Sequence, residues 1–241
     1  MTRRIAMWSG PRNLSTAMMR SFGSRADTFV SDEPFYGCFL KESGADHPMR
    51  EEVVASMDCD WRSVMASFRG PAPDGSPVWY QKHMWHHMTG PIGYADFEGF
   101  THAFLIREPE RMIASYLRKR DRAAFEDFGF ERQAEFFDRE ADRVGSPPPV
   151  VDANDVLSNP ERVLSKLCEA LGIPWDQAML SWAPGRRDTD GVWAAHWYGA
   201  VEKSTGFGAS ETEPTELPDD ARRLADRCRP YYERLAAHRI R

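Results

Sequence analysis

Short apolar runs alternate along the chain with longer segments in which apolar residues recur every three or four positions. The short runs predict buried β-strands, and the longer segments predict amphipathic helices. The strands are expected at residues 5–8, 28–31, 78–82, 102–106 and 150–153. Strands that alternate with helices in this way predict an α/β fold with a mainly parallel central sheet and helices on both faces.

The helical segments differ in how clearly their ends are marked. They are expected at residues 15–22, 51–68, 109–120, 131–144, 160–171 and 219–238. The helix that starts at Pro160 has the clearest signals, because Asn159 is a good cap, proline suits the first helical position and Gly172 follows the last turn. Residues 184–210 show no clear period and are predicted to form a long functional loop that serves as a lid or substrate loop.

Composition narrows the class of protein. The length of 241 residues suits one domain, so residues 1–241 are expected to form a single unit. The net charge of -6 argues against nucleic acid or an anionic membrane as a general partner, although a local basic pocket remains compatible with it. The sequence holds no apolar run of about 20 residues, so no membrane span is predicted. The apolar stretch at residues 5–8 is also too short for a signal peptide.

The four cysteines are widely spaced and form no C-x-x-C pair. This spacing predicts free thiols in a reducing compartment, and therefore a cytoplasmic protein without disulfides or a zinc site. The sequence indicates nothing about the oligomeric state.

Ligands of parallel sheets bind beyond the carboxyl ends of the strands, so the residues that follow each strand are informative. The first strand leads through a short loop into a helix, with the sequence Gly10-Pro11-Arg12-Asn13-Leu14-Ser15-Thr16. A helix start suits an anion, Arg12 adds a forked cation, and Ser15 and Thr16 add hydroxyl donors. The loop is not a Walker A sequence, because Leu14 and Ser15 stand where glycine and lysine are required. The alternative is an ordinary turn in which Ser15 caps the helix.

The fourth strand leads into a second candidate phosphate site. Arg107 ends the strand, Pro109 opens the next helix and Ser115 lies about two turns inside it. A strand-end guanidinium and a helix hydroxyl are able to hold one phosphate from two sides. The alternative is an ion pair of Arg107 with Glu108 or Glu110.

These segments resemble the sulfotransferase family. The spacing R-x-P-x-x-x-x-x-S from Arg107 to Ser115 is similar to the family's 3′-phosphate signature, and residues 11–16 resemble its 5′-phosphosulfate loop in the form found in carbohydrate and tyrosylprotein sulfotransferases. Residues 151–172 are similar to the family's following strand and Asn-Pro-Glu helix. The resemblance covers residues 4–175, roughly.

This resemblance implies a three-layer, P-loop NTPase-like α/β fold with a central parallel sheet flanked by helices. It implies metal-free transfer of a sulfuryl group from 3′-phosphoadenosine-5′-phosphosulfate to a hydroxyl or amine of a small-molecule or glycan acceptor. The residues expected to bind the nucleotide are Gly10, Pro11, Arg12, Asn13, Leu14, Ser15, Thr16, Arg107 and Ser115.

Three residues are candidates for the chemistry. Glu33 follows the second strand and resembles the glutamate that acts as base in tyrosylprotein sulfotransferases; the alternatives are a helix cap or an ion pair with Arg12. Arg12 is expected to stabilise the departing phosphate. His83 belongs to the run Lys82 to His87, which resembles the Lys-Thr-His segment of the cytosolic enzymes. Helical spacing of His83 and His87 permits metal binding, but without a third ligand nearby no metal is predicted.

The late loop, residues 184–210, lacks the Arg-Lys-Gly string of the cytosolic enzymes, and its alternative cations are Arg186, Arg187 and Lys203. Its aromatic face is expected to cover adenine or acceptor, and comprises Trp182, Trp193, His196, Trp197 and Tyr198.

Two other functions stay open. An ATP-dependent, kinase-like phosphotransferase is disfavoured by the missing Walker lysine. A non-catalytic nucleotide-binding protein is favoured if Glu33 is buried in a salt bridge and the histidines face outward.

Overall fold

The computed structural model describes residues 2–210, 212 and 215–241. Its central feature is a parallel sheet whose strand order is β2-β3-β1-β4-β5. The described strands are β1 (Arg3–Ser9), β2 (Thr28–Asp32), β3 (Val78–Met84), β4 (Thr101–Ile106) and β5 (Val150–Asp152). All five strands predicted from the apolar runs are present, and the predicted α/β class with a parallel sheet is confirmed.

Helices flank this sheet and connect its strands. They are α1 (Ser15–Phe22), α2 (Tyr36–Ser43), α3 (Arg50–Ser56), α4 (Trp61–Ser67), α5 (Pro109–Leu117), α6 (Phe130–Val144), α7 (Ala153–Ser158), α8 (Pro160–Leu171), α9 (Ala194–Trp197) and α10 (Asp219–Ala236). Among the described helices, none has the length and apolar character needed to cross a membrane.

The prediction of one helix over residues 51–68 is wrong, because the chain forms two helices there, α3 and α4. Met57 has extended backbone angles, φ -121° and ψ 154°, and therefore ends α3. Asp60 then caps α4, accepting a hydrogen bond from the Ser63 amide at 2.8 Å. The carboxylate of Asp60 caps a new helix in the middle of a segment whose apolar residues keep helical spacing. The spacing of the apolar residues alone therefore does not reveal the break.

The predicted ends of α1 and α8 are confirmed. Helix α1 spans the predicted residues 15–22. At α8 the Asn159 side chain accepts from the Arg162 amide at 3.2 Å, Pro160 occupies the first position, and Gly172 ends the helix with φ 66°. The helices α2 and α7 were not predicted, although Gly44 ends α2 with φ 65° and the Asp152 side chain caps α7 by accepting from the Asn154 amide at 2.8 Å.

The middle of the sheet is covered on both faces. Every residue of β3 is buried, as are Ile5, Ala6, Met7 and Trp8 of β1. Ile5 lies in register with Tyr80 of β3 on one side and Thr101 of β4 on the other. Such continuous burial explains why residues 5–8 of β1 and 78–80 of β3 are apolar without alternation.

The strand order also locates the ligand crevice. From β1 the chain moves outward to β2, returns to β3 beside β1, and then crosses β1 to reach β4. In open parallel sheets the crevice lies beyond the carboxyl ends of the strands at such a switch point. The ends of β1, β3 and β4 are therefore expected to border the site.

Candidate active site

A cavity of about 330 Å³ lies beyond the carboxyl ends of β1 to β4. This volume falls within the range of about 300–1,000 Å³ that is usual for small-molecule sites. The predicted site residues that line it are Pro11, Arg12, Asn13, Leu14, Ser15, Thr16, Glu33, Arg107 and Ser115. The structure therefore brings the two predicted phosphate segments and the predicted base to one cavity.

The loop between β1 and α1 has a backbone suited to an anion. Arg12 and Leu14 both have φ 57°, in the left-handed region. Turns that alternate in this way direct successive N–H groups toward one side. Leu14 is the N-cap of α1, and among the described residues no side chain caps this helix and no acidic residue lies in its first turn. The alternative in which Ser15 caps the helix is therefore wrong, and the first N–H groups of α1 remain available to an anion.

Leu14 is not a glycine, yet it adopts the left-handed conformation that glycine favours. A left-handed angle costs a non-glycine residue about 1–2 kcal/mol. The loop shape is thus compatible with leucine, at a cost in stability.

The two phosphate segments contact each other directly. The Arg107 guanidinium donates to the Arg12 carbonyl at 2.6 Å, and Arg12 Nε donates to the Ser115 hydroxyl at 3.2 Å. Burial lowers the pKa of Arg12, and the positive charges of Arg107 and Arg118 lower it further. Cations that destabilise one another in this way are stabilised by a bound anion.

The acidic residues near Arg107 have other partners. Glu108 pairs with Arg111 at 2.9 Å, and Glu110 pairs with Arg229 of α10. Glu108 and Glu110, which the alternative interpretation paired with Arg107, thus each have another arginine as a partner.

Two residues of the loop support its position. Asn13 Nδ2 donates to the Leu105 carbonyl at 2.7 Å and so ties the loop to the end of β4. Gly10 is not among the lining residues; a Cβ there would lie 2.7 Å from the Phe128 carbonyl oxygen and 3.0 Å from Met112 Cε. Close packing against the protein accounts for the glycine at this position, and nucleotide binding by Gly10 stays a prediction.

Lys82, at the end of β3, is the centre of a buried polar network. Its ammonium donates to Asp32 Oδ1 at 2.9 Å, to Glu33 Oε1 at 2.6 Å and to the Tyr198 hydroxyl at 2.6 Å. The Tyr198 hydroxyl in turn donates to Asp32 Oδ2 at 2.7 Å. Burial acts to lower the pKa of Lys82, but the carboxylates of Asp32 and Glu33 raise it well above the ordinary value. The lysine is therefore held in its charged form.

Glu33 is held firmly at the edge of the sheet. Its backbone has φ 43°, and its amide donates to the Lys82 carbonyl at 3.0 Å. Burial raises the pKa of the Glu33 carboxyl; the Lys82 ammonium opposes this rise and Asp32 adds to it. Its second oxygen, Oε2, lies 3.7 Å from His87 Nδ1. The ion pair considered with Arg12 is formed instead with Lys82.

His83 does not reach the cavity, contrary to its predicted role as a base. The third strand runs to Met84, two residues beyond its predicted end. Side chains alternate along a strand, so Lys82 and Met84 line the cavity while His83 points away. His83 is 1% exposed and stacks on Trp8 at 4.5 Å between ring centres. Burial lowers the pKa of His83 to about 3.

The next two histidines take the place expected of His83. A single 3₁₀ turn, Trp85–His87, brings His86 and His87 to the cavity, where they meet His47. In the described parts of the chain, no three His, Cys, Asp or Glu side chains are arranged to hold a metal ion.

The late loop contributes one wall of the cavity. Trp197, Tyr198 and Phe207 line it, whereas Trp182 and Trp193 are buried and His196 lies outside the lining. Of the predicted aromatic face, Trp197 and Tyr198 thus line the cavity, whereas Trp182 and Trp193 are buried in the protein.

The cations proposed for this loop, Arg186, Arg187 and Lys203, are not lining residues, and Arg120 after α5 lines the cavity instead. A buried pair attaches the loop to α1, with both guanidinium nitrogens of Arg20 at 2.6 Å from the Asp190 oxygens. The sequence predicted Tyr198 only as part of the aromatic face, and it carried no signal for the role of Asp190.

The fold is shared with solved structures. The sulfotransferase from Alicyclobacillus acidocaldarius aligns with a TM-score of 0.54 and 15% identity, and covers 100% of this chain and 98% of its own. The sulfotransferase domain from the curacin biosynthetic pathway aligns with a TM-score of 0.53 and 16% identity, and covers 94% of this chain and 97% of its own. These alignments confirm the predicted P-loop-like α/β class.

The chain also matches the family model described as sulfotransferase domain over residues 3–239. It therefore belongs to the sulfotransferase family of transferase enzymes. Among curated proteins, it is 34% identical to branched-chain-amino-acid aminotransferase-like protein 2 of Arabidopsis thaliana over 235 residues, which is 97% of this chain and 41% of that protein. The related protein 1 is 35% identical over 97% of this chain and 42% of its own length. The chain thus spans about two fifths of the curated relatives it matches.

Proposed function

We propose that the chain transfers a sulfuryl group from 3′-phosphoadenosine-5′-phosphosulfate to an acceptor that is bound in the same cavity, with Glu33 as the base. The observation that carries the proposal is the convergence of Arg12, Arg107, Ser115 and the uncapped start of α1 on the cavity that Glu33 also lines.

The residues present fit a nucleotide with phosphate groups at both ends. The α1 start and Arg12 suit the 5′-phosphosulfate, since N–H groups and a forked cation stabilise its oxygens. Arg107 and Ser115 suit the 3′-phosphate, and their contacts with Arg12 join the two subsites. The pKa of Arg12, lowered by burial and then by Arg107 and Arg118, supports this assignment, because a bound anion stabilises buried cations that lie close together.

The reaction balances without a metal or a redox partner. The acceptor oxygen forms a new bond to sulfur, and the bond from sulfur to the bridging oxygen of the 5′-phosphate breaks. The electron pair of that bond goes to the phosphate, whose developing charge Arg12 stabilises. The acceptor proton goes to the Glu33 carboxylate. A carboxyl whose pKa is raised by burial is a stronger base than an exposed one, and general base catalysis is worth about 10²–10⁴-fold in rate.

The alternatives find less support. A kinase-like reaction needs a mobile lysine at the phosphates, whereas Lys82 is engaged by Asp32, Glu33 and Tyr198. Of the two features that favour a non-catalytic protein, the ion pair of Glu33 is present, but His83 and His87 are buried and do not face outward. A cytoplasmic location and a single-domain organisation remain part of the proposal.

The test is to incubate the purified chain separately with the sulfonated nucleotide and with ATP, each with the same mixture of phenols, alcohols, amines and sugars. Nucleotides and products are then quantified by mass spectrometry. We expect 3′-phosphoadenosine-5′-phosphate and a sulfated acceptor to accumulate, and no ADP above background. Formation of ADP with a phosphorylated acceptor would support the phosphotransferase, and absence of turnover with either donor would support the non-catalytic protein.

A further inference from the structure

A cluster of three histidines beside Glu33, one buried and two half-buried, has unused hydrogen-bonding capacity. We infer that His47, His86 and His87 form the acceptor subsite and that it selects an uncharged acceptor through its hydroxyl groups, against amines and acids. This inference rests on the proposed function and names the chemical class of its acceptor.

The ring nitrogens of this cluster indicate a ligand. Both nitrogens of His87 and Nδ1 of His86 are buried and have no hydrogen-bond partner among the described residues. The 3.7 Å separation of His87 Nδ1 from Glu33 Oε2 is too long for a hydrogen bond. A buried polar group without a partner costs about 1–3 kcal/mol. Because His86 and His87 line the cavity, a bound ligand is able to supply the missing bonds.

The rings are held in place before any ligand arrives. His87 is stacked between Tyr36, with ring centres 4.4 Å apart and planes at 7°, and Phe39, at 5.0 Å and 23°. Aromatic groups therefore cover both faces of the ring and fix its orientation. His47 Nδ1 hydrogen-bonds the Tyr36 hydroxyl at 2.9 Å, which fixes the neighbouring ring.

The cluster is uncharged at neutral pH. Burial, with His47 and Lys82 nearby, lowers the pKa of His86 to about 3, and burial with Arg120 nearby lowers the pKa of His47 to about 4. The pKa of His87 is lowered well below the ordinary value, first by burial and then by the other histidines and Lys82. A neutral imidazole has one nitrogen that donates and one that accepts.

This donor and acceptor pattern discriminates among acceptor groups. A hydroxyl both donates and accepts, and so matches neutral rings. An ammonium only donates and a carboxylate only accepts, so each leaves part of this donor and acceptor pattern unmatched. Selectivity therefore follows from the neutral state of the cluster together with the ring nitrogens that have no partner among the described residues.

The test uses calorimetry on the full chain saturated with 3′-phosphoadenosine-5′-phosphate, so that failure of the nucleotide to bind reports separately on the proposed function. The probes are two matched sets: methyl glucoside, methyl glucosaminide and methyl glucuronide, and benzyl alcohol, benzylamine and benzoate. We expect the neutral member of at least one set to bind about tenfold more tightly than its amine and acid, the loss of one hydrogen bond being worth up to about that factor. The set that binds identifies a sugar or an aryl acceptor.

The variant H87F keeps a ring of similar shape between Tyr36 and Phe39 but removes both nitrogens. It is expected to bind the nucleotide as the wild type does and to lose the preference for the neutral probe. The matched control is H238F, which alters an exposed histidine and should change nothing. Equal or tighter binding of the amine or acid by the wild type, failure of both neutral probes to bind, or an unchanged preference in H87F would overturn the inference.

A second measurement needs no acceptor. Histidine ¹⁵N shifts recorded from pH 4.5 to 8 should show His86 and His87 neutral throughout. Protonation of either cavity histidine near pH 6 would also overturn the inference.

Discussion

The cavity has two sides that are built on opposite electrostatic principles. On the phosphate side, Arg12 and Arg107 lie close together, and the pKa of Arg12 is lowered first by burial and then by the charge of Arg107. On the other side, the charges of Asp32, Glu33 and Lys82 compensate one another within hydrogen-bonding distance. An anion that binds on the phosphate side reduces the repulsion between the arginines. On the other side, the Lys82 ammonium already holds the Glu33 carboxylate in place without a ligand.

The comparison is tested most strongly by removing the base from the second side. The variant E33Q is expected to lower the transfer rate by about 10²–10⁴-fold, because the amide accepts no proton. Its affinity for 3′-phosphoadenosine-5′-phosphate should stay within about twofold, since the arginines are unchanged. Single-turnover rates and calorimetry give the two numbers. Full activity in this variant would refute the assigned base.

The same residue predicts the pH dependence of the rate. Only deprotonated Glu33 accepts the acceptor proton, so the rate should fall as the pH falls through the pKa of this carboxyl. Because burial raises that pKa, the fall should occur above pH 4.5, the ordinary value for glutamate. It should also occur above the titration of His86, whose pKa is about 3. The descending limb is expected to disappear in the residual activity of E33Q, and its persistence there would assign it to another group.

The buried lysine is the next test. K82M is expected to lower the free energy of unfolding by about 3–5 kcal/mol, because it leaves the Asp32 carboxylate buried without its counter-ion. Urea denaturation measures the change. The double variant K82M/D32N removes both charges and should recover part of the loss. Equal stability of K82M and the wild type would contradict the compensated network.

On the phosphate side, R107A is expected to weaken binding of 3′-phosphoadenosine-5′-phosphate by about 10–100-fold, which is the usual worth of a charged hydrogen-bonding group. The same variant should weaken the binding of ADP, which lacks the 3′-phosphate, much less. The control R69A removes the same charge from an exposed arginine that pairs with Asp96. Equal losses for the two nucleotides would place Arg107 away from the 3′-phosphate.

The smallest expected effect concerns the start of the phosphate loop. G10A places a methyl group 2.7 Å from the Phe128 carbonyl, and overpacking of this kind costs about 1–3 kcal/mol. The control G70A has open space around the added methyl group and should leave thermal unfolding unchanged. An unchanged unfolding temperature in G10A would show that the loop tolerates a shift at this position.

The two sides also differ in how far the sequence revealed them. The phosphate side consists of two short segments, each a strand end followed by a helix start, so Arg12, Arg107 and Ser115 were predicted from spacing and resemblance. The other side joins residues far apart in the chain, such as Asp32 and Tyr198. Tyr198 belongs to a segment without periodicity, and no local pattern indicates which wall such a segment forms.

The error at His83 has a simple origin. Two extra residues in β3 decide which side chains of the run from Lys82 to His87 face the cavity, because the side-chain period of a strand is two. Apolar content alone is a poor guide to where a strand ends. Here β3 continues past the polar residues Lys82 and His83 and ends at Met84. The run from Lys82 to His87 was recognised from the sequence, but the members of it that reach the cavity were not, and neither was His47.

The central claim is that the cavity binds a nucleotide carrying a 3′-phosphate, and calorimetry of the wild-type chain with 3′-phosphoadenosine-5′-phosphate and ADP tests it most directly. The two ligands differ only in that 3′-phosphate and in the second phosphate at the 5′ end. The account predicts that the 3′-phosphorylated nucleotide binds at least about tenfold more tightly, as expected for charged hydrogen bonds to Arg107 and Ser115. Equal affinities, or tighter binding of ADP, would contradict it.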